Sequence, residues 1–245
     1  NNATQRMAFA ENTAPNTVPA PAAGKWVKGN ADTAGYYRVN YPVEIWEALR
    51  SYLVDQAPVA DALSANDRSG LLSDLKAIVL SNAPEAEVGA GVNATLLMRF
   101  AGMLRTESTW TVWTPGTGLL NTLHSYLHGD DAAPAGDAKT CSDDFNTYAA
   151  SLLTPIVTAV GWDTVPVNGS PEPPIRTLLR TRVLAAAVSF GQVSATNEAV
   201  SRYQQWKGGN TGVLTADTLG VAFSAAVQND VGGGVWQEMK AIYKA

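Results

Sequence analysis

The sequence predicts a mainly α protein, an α-solenoid or superhelix of antiparallel helix pairs preceded by a short β-hairpin. Three observations carry that expectation. From Pro42 onward, apolar residues recur at helical spacing in one segment after another, and Gly- or Pro-bearing joints separate the segments. Before Pro42, KWVK (25–28) and GYYRVN (35–40) are rich in aromatic and β-branched residues, with the turn-tolerant GNADTA between them. Finally, 46% hydrophobic and 16% charged residues suit packed helices better than a disordered or coiled-coil chain. No fixed-period sequence repeat is visible, so the solenoid rests on helix spacing and short connections alone.

In chain order, residues 1–24 contain the Pro/Ala stretch APNTVPAPAAG, which buries too little to offset its ordering entropy and is expected to be an extended tether. A two-stranded hairpin over 25–40 is marginal by itself, so its strands should lean on other structure and present unpaired edges. Pro42 favours a helix start, and Ile45, Leu49, Tyr52 and Leu53 carry that helix to about Gln56. Ser64 and Asp67 resemble a capping box that opens a helix over 63–82, with Leu71, Leu72, Leu75, Ile78 and Val79 as its stripe. One helix is expected over 85–104. A short aromatic helix at 109–113 should stop at Pro115-Gly116, and another should run from Leu119 to His128. Further helices are expected at 142–160, 174–190, 194–206, 216–228 and 235–244.

Bulk properties exclude several classes of function. A formal charge of −5 argues against nucleic-acid binding, which needs a basic face. Cys141 is the only cysteine, so no intrachain disulfide forms, and no His or basic cluster beside it activates the thiol. Apolar runs such as 183–188 stop short of a bilayer span, and no signal-peptide pattern is visible. N-x-S/T sequons at Asn2, Asn93 and Asn168 matter only in a secreted chain, and the compartment stays open.

Three constellations could carry chemistry. His124 and His128, i and i+4 on one helix, could both reach a zinc ion, but the Glu of H-E-x-x-H is replaced by Ser125 and no third ligand is evident. Asp67-Arg68 with Asp74 reads either as a carboxylate pair with an anion clamp or as a helix start with a structural ion pair. Arg176, Arg180 and Arg182 lie on one helix, the first two one turn apart, and could hold a peptide carboxylate or a phosphate bidentately or simply coat a helix face. No phosphate loop is present, and no catalytic or metal constellation emerges.

The segment WVKGNADTAGYYRVNYP, through Trp26, Lys28, Asn30, Gly35, Tyr36, Tyr37, Arg38, Val39 and Tyr41, resembles the junction of zinc aminopeptidases. That family includes aminopeptidase N and the puromycin-sensitive and endoplasmic reticulum enzymes. There a W-x-K-x-N…G-Y/F-Y/F-R-V-x-Y pattern closes a β-sandwich and leads into a C-terminal helical domain. The likeness continues in register through LSANDRSGLLSD (Leu63, Ser64, Asp67, Arg68, Asp74), TWTVW (109–113), LLTPIVTAVGW (152–162), LLRTRVL (178–184), EAVSRYQQW (198–206) and the final VWQEMKAIY. It departs at Leu219-Gly220 and Ala222-Phe223, where the family has Leu-Arg and Val-Tyr.

The resemblance implies residues 1–41 as lead-in and end of a β-sandwich domain, and 42–245 as the first part of a HEAT- or armadillo-like domain. It implies a non-catalytic portion of a metallo-aminopeptidase, capping the active site and controlling peptide access. The zinc, the H-E-x-x-H motif and the peptide-trimming chemistry would lie in a catalytic domain absent from this chain. The partners implied are peptide substrate, the missing catalytic and β-sandwich domains, and a second copy in a homodimer. A helical-repeat scaffold for protein–protein interaction is the alternative expectation.

Overall fold

In a computed structural model, residues 21–55, 62–81, 83–127, 137–167, 169–230 and 233–244 are described. The chain forms two compact units, Asn1–Met103 and Leu104–Ala245. The described residues contain ten α-helices and no β-strand; an isolated antiparallel bridge joins Val167 and Ser170. None of these helices is long and apolar enough to cross a membrane.

The expected hairpin is not formed. The polar groups that a strand ladder would pair are taken by side chains instead. The Asn30 amide donates to Gly35 O and Tyr37 O at 2.9 and 3.1 Å, and its Oδ1 accepts from Gly35 N at 2.7 Å. Lys28 Nζ donates to Asn30 O at 2.6 Å. Asn30, Asp32 and Thr33 take left-handed backbone with φ of 52°, 55° and 53°, which ends any extended run. The strands were also expected to need outside support for unpaired edges. The segment is instead fastened within the chain, as set out below.

In the first unit, α1 (Val43–Arg50) follows Pro42 and relaxes into a π-helical turn, Ser51–Asp55. Trp46 is fully buried, edge-on to Tyr41 at 4.9 Å and to Phe100 at 5.6 Å. α2 (Ala65–Val79) opens with the expected capping box: Ser64 Oγ accepts from Asp67 N, and the Asp67 carboxylate accepts from Ser64 N. Its buried Leu71, Leu72 and Leu75 pack toward α4.

The single helix expected over 85–104 is divided. α3 (Glu85–Val88) ends at Gly89, and α4 (Ala94–Ala101) restarts at Asn93, whose Oδ1 caps Leu96 N at 3.1 Å. Gly89 and Gly91 between them have φ of 97° and 82°, a backbone that side-chain-bearing residues avoid.

In the second unit, α5 (Trp110–Leu127) runs straight through Pro115, where the sequence predicted a break. Threonine hydroxyls hold carbonyls beside the proline: Thr114 Oγ1 bonds Trp110 O, and Thr117 Oγ1 bonds Trp113 O, each at 3.0 Å. Gly116 belongs to the packing, because a Cβ there would meet Leu104 Cδ2 at 2.7 Å. Then come α6 (Asp137–Val160), α7 (Pro174–Ser189), α8 (Val193–Lys207), α9 (Ala216–Gln228) and α10 (Gly234–Lys244).

α7 lies between α5 and α9; α6 packs on both α5 and α7, α8 on both α7 and α9, and α10 on α9. Small buried residues, among them Ala187, Ala199, Ala222 and Ala225, let these helices approach closely.

Candidate functional site

The described aspartate and arginine candidates are each held by contacts within their own unit. In the first unit the junction is held by α2. Lys28 and Asp67 form an ion pair at 2.8 Å, with side chains only 7% and 11% exposed. Asp67 also accepts from Asp32 N at 2.6 Å, so one carboxylate caps α2 and anchors the loop 30–33. Two turns further along the same face of α2, Asp74 Oδ2 accepts from Val39 N at 3.1 Å, and Arg38 lies 3.7 Å from Asp74 Oδ1. Arg68 reaches back to Leu63 O at 2.8 Å. The Tyr41 hydroxyl accepts from Gly29 N at 2.9 Å, and Trp26 packs on Tyr52 at 5.1 Å. The junction block and the LSANDRSGLLSD block, separate in sequence, are two sides of one contact.

The electrostatics of the two carboxylates differ. Burial opposes ionisation of Asp67, but the Lys28 ammonium and the Asp32 and Ser64 amides outweigh it and hold its pKa below the usual range. At Asp74 burial dominates, offset only in part by the Val39 amide, Arg38 and Lys28, and its pKa is raised. Burial also pushes the Tyr41 phenol up to about 12, keeping it protonated at neutral pH.

A raised carboxyl pKa means that ionised Asp74 costs stability as pH rises through its folded value. Asp74→Asn, which keeps an acceptor for Val39 N–H, is therefore expected to change stability by less than about 1 kcal/mol at pH 7. Asp74→Ala should cost about 1–3 kcal/mol by stranding that amide. Urea unfolding of the pair of variants checks the contrast.

In the second unit, Arg176 and Arg180 meet Glu172, a residue of the Pro-rich loop that sequence reasoning did not single out. Arg180 and Glu172 side chains are 1% and 2% exposed. Their contact is bidentate, Nη1 to Oε2 at 2.6 Å and Nη2 to Oε1. Arg180 also donates to Gly161 O and Val160 O, at 3.2 and 3.3 Å, and Arg176 to Ala159 O at 2.8 Å. Arg176 Nε stands 3.0 Å from Glu172 Oε1. The two guanidinium groups therefore satisfy the last carbonyls of α6, which have no intrahelical donors. The Arg180 guanidinium holds the Glu172 pKa down, against the opposing effect of burial. The only advance signal was spacing: Glu172 stands four and eight residues before the two arginines.

Another arginine joins two more of the sequence blocks. Arg202 of EAVSRYQQW grips Asp163 at 2.7 and 2.8 Å, Glu198 at 2.7 Å and Val213 O at 3.0 Å. Its Cζ lies 5.5 Å from the centroid of Trp162. Between α7 and α9 runs an open groove of about 380 Å³, floored by small residues that include Ala185, Ser189, Gly220 and Ser224.

His124 sits against Phe190 at 5.7 Å and Phe145 at 6.3 Å, while His128, the other half of the zinc reading, lies outside the described residues. Among the described residues no group of three or more His, Cys, Asp or Glu is placed to hold a metal ion. Cys141 is exposed.

Helices that fasten a preceding junction through α2, and one another through arginine clamps, define a helical domain. Comparison with known proteins places it more closely: the ERAP1-like C-terminal domain matches residues 26–245, and the chain belongs to that family. It is a C-terminal domain of M1-family aminopeptidases.

Aminopeptidase M1-B of Oryza sativa subsp. japonica is 28% identical over 204 residues, covering 83% of this chain and 21% of the relative. Glutamyl aminopeptidase of Bitis rhinoceros is 24% identical over 232 residues, 95% of this chain and 21% of the relative. Human glutamyl aminopeptidase is 25% identical over 189 residues, 77% and 17% respectively. The chain thus spans about a fifth of the length of these relatives.

Proposed function

We propose that this chain serves a peptide-trimming zinc aminopeptidase as a non-catalytic domain, capping the active site and controlling which peptides reach it. The observation that carries the reading is the family match across the junction and the helices together, in relatives named as aminopeptidases. The zinc ion and the bond-breaking residues would belong to a part of the protein outside this chain.

Residues 1–41 would be the lead-in and end of a β-sandwich domain and 42–245 a helical-repeat domain, with Lys28, Asp67 and Asp74 fastening the seam. The alternation in the second unit, where α5, α7 and α9 adjoin in turn while α6 and α8 bridge them, supports the first turns of a superhelix. Arg180 would have to give up Glu172 to hold a peptide, so we assign Arg176 and Arg180 to bracing the helices. Pairing of two copies through the helical domain is part of the same proposal.

The test uses the full-length protein that carries this chain, beside a version lacking residues 42–245. A small aminoacyl reporter should be hydrolysed by both, within severalfold, and chelation should abolish it. Discrimination among peptides of graded length should be present in the first and lost in the second. Unchanged length discrimination would remove the access-control reading. A full-length protein inert toward reporter and peptides alike would favour a non-catalytic scaffold.

A further inference from the structure

The N-x-S/T sequons are a sequence motif to which neither the fold nor the proposed role gives a purpose. Asn2 and Asn168 lie outside the described residues, whereas Asn93-Ala94-Thr95 is described in full, and all three of its residues are exposed. The sequon stands where the chain leaves the turn between α3 and α4. Gly89 and Gly91 give that turn its positive φ, Asn40 Nδ2 donates to Val88 O at 2.8 Å, and Val92 is only 4% exposed. The turn is thus fastened on one side while the three residues that follow it face water.

A helix cap accounts for one part of the motif. Asn93 Oδ1 accepts from Leu96 N at 3.1 Å. Its Nδ2, on the opposite branch of the planar amide, donates to no protein group among the described residues. A sugar on Nδ2 replaces one amide hydrogen and leaves the carbonyl in place, so glycan and cap are compatible.

The cap does not account for Thr95. Threonine is a poor helix former. Thr114, Thr117 and Thr122 bond their hydroxyls to carbonyls of the preceding turn. Thr95 is the second residue of α4, with no helical carbonyl four residues behind it, and its hydroxyl has no protein partner among the described residues. What the exposed Thr95 supplies is the hydroxyl of a sequon.

We propose that Asn93 is an N-glycosylation site and that this domain therefore matures in a secretory lumen. In that step Nδ2 bonds to the anomeric carbon of a lipid pyrophosphate-linked oligosaccharide. The carbon–oxygen bond to pyrophosphate breaks, the lipid pyrophosphate leaves with the electron pair, and one amide proton is released. The glycan would shield the exposed turn and the start of α4 with bulky, solvated sugar.

The experiment uses the full-length protein that carries this chain, isolated from its native cells. Trypsin cleaves after Lys76 and Arg99 and yields peptide 77–99, in which Asn93 heads the only sequon. Peptide N-glycosidase in heavy-oxygen water should leave labelled aspartate at position 93 in most copies of that peptide. In the same cells Thr95→Val should lower the labelled fraction by at least about tenfold, and Thr95→Ser should keep it. Asn93→Asp, which retains a capping oxygen and loses the amide, should remove the glycan with the helical spectrum unchanged.

An unlabelled peptide from the native protein, a label that forms equally without the enzyme, or one that persists in Thr95→Val would overturn the proposal. No hydrolysis is read, so that failure leaves the aminopeptidase reading untouched. Conversely, loss of length discrimination in the full-length test would not alter the label.

Discussion

Glu172→Ala is expected to destabilise the second unit by about 3–5 kcal/mol, because it leaves the almost completely buried Arg180 without a counter-ion. For a chain of this size the melting temperature should fall by on the order of 10 °C. The damage should be local at first, with hydrogen exchange rising at the C-terminus of α6 and along the first turns of α7, where Arg176 and Arg180 hold Ala159, Val160 and Gly161. The sign of the pH dependence follows from the lowered pKa of Glu172. A depressed folded pKa gives stability that is whole above the ordinary carboxylate range, roughly pH 4–5, and is lost as pH falls through the folded value. The gap between wild type and Glu172→Gln should therefore be widest near neutrality and close in acid. An alanine variant that melts with the wild type would remove the clamp from the account.

Asp67→Ala is the second large expected effect, also about 3–5 kcal/mol, and it falls on the junction. It strands the buried Lys28 ammonium, removes half of the capping box of α2 and frees the Asp32 amide. Residues 25–41 should lose exchange protection and become open to trypsin at Lys28, while the second unit keeps its spectrum. Its folded pKa is lowered too, so the contribution is again present at neutral pH and lost in acid. The double variant Lys28→Met, Asp67→Leu separates charge from packing. If the loss comes from the orphaned ammonium, removing both charges should recover much of it. Full destabilisation in the double variant would place the cost in the cap and the loop contacts.

These two carboxylates show how legibility was divided along the chain. Asp67 stood out because a capping box is a local code: Ser64 and Asp67 three residues apart announce the helix start whatever surrounds them. Helices that announce themselves through apolar periodicity, such as α2, α7 and α9, fall close to their expected bounds. The junction failed the same reading. Its β-branched and aromatic residues describe side chains fit for a half-buried surface, whereas its backbone shape is decided by Asn30 from within the loop and by Asp67 and Asp74 from 35 residues away.

Pro115 failed in the opposite direction, being read as a stop although α5 continues through it. Glu172 was illegible for a third reason. A glutamate among prolines looks like solvated loop, and only the fold brings it under two arginines. The block-by-block likeness to aminopeptidases did point to the right family, and the structure gives those blocks physical meaning. Arg180 reaches the end of the 152–162 block, and Arg202 grips the aspartate just beyond it.

The connection between α6 and α7 has a consequence of its own. Asp163 near one end is held by Arg202, and Glu172 near the other by Arg176 and Arg180. The span between them is consequently redundant as a tether. Cutting its backbone near Val167 would leave two stubs, each still riveted to the helices, so this stretch can accept a nick, an insertion or a bulky attachment without releasing its flanks.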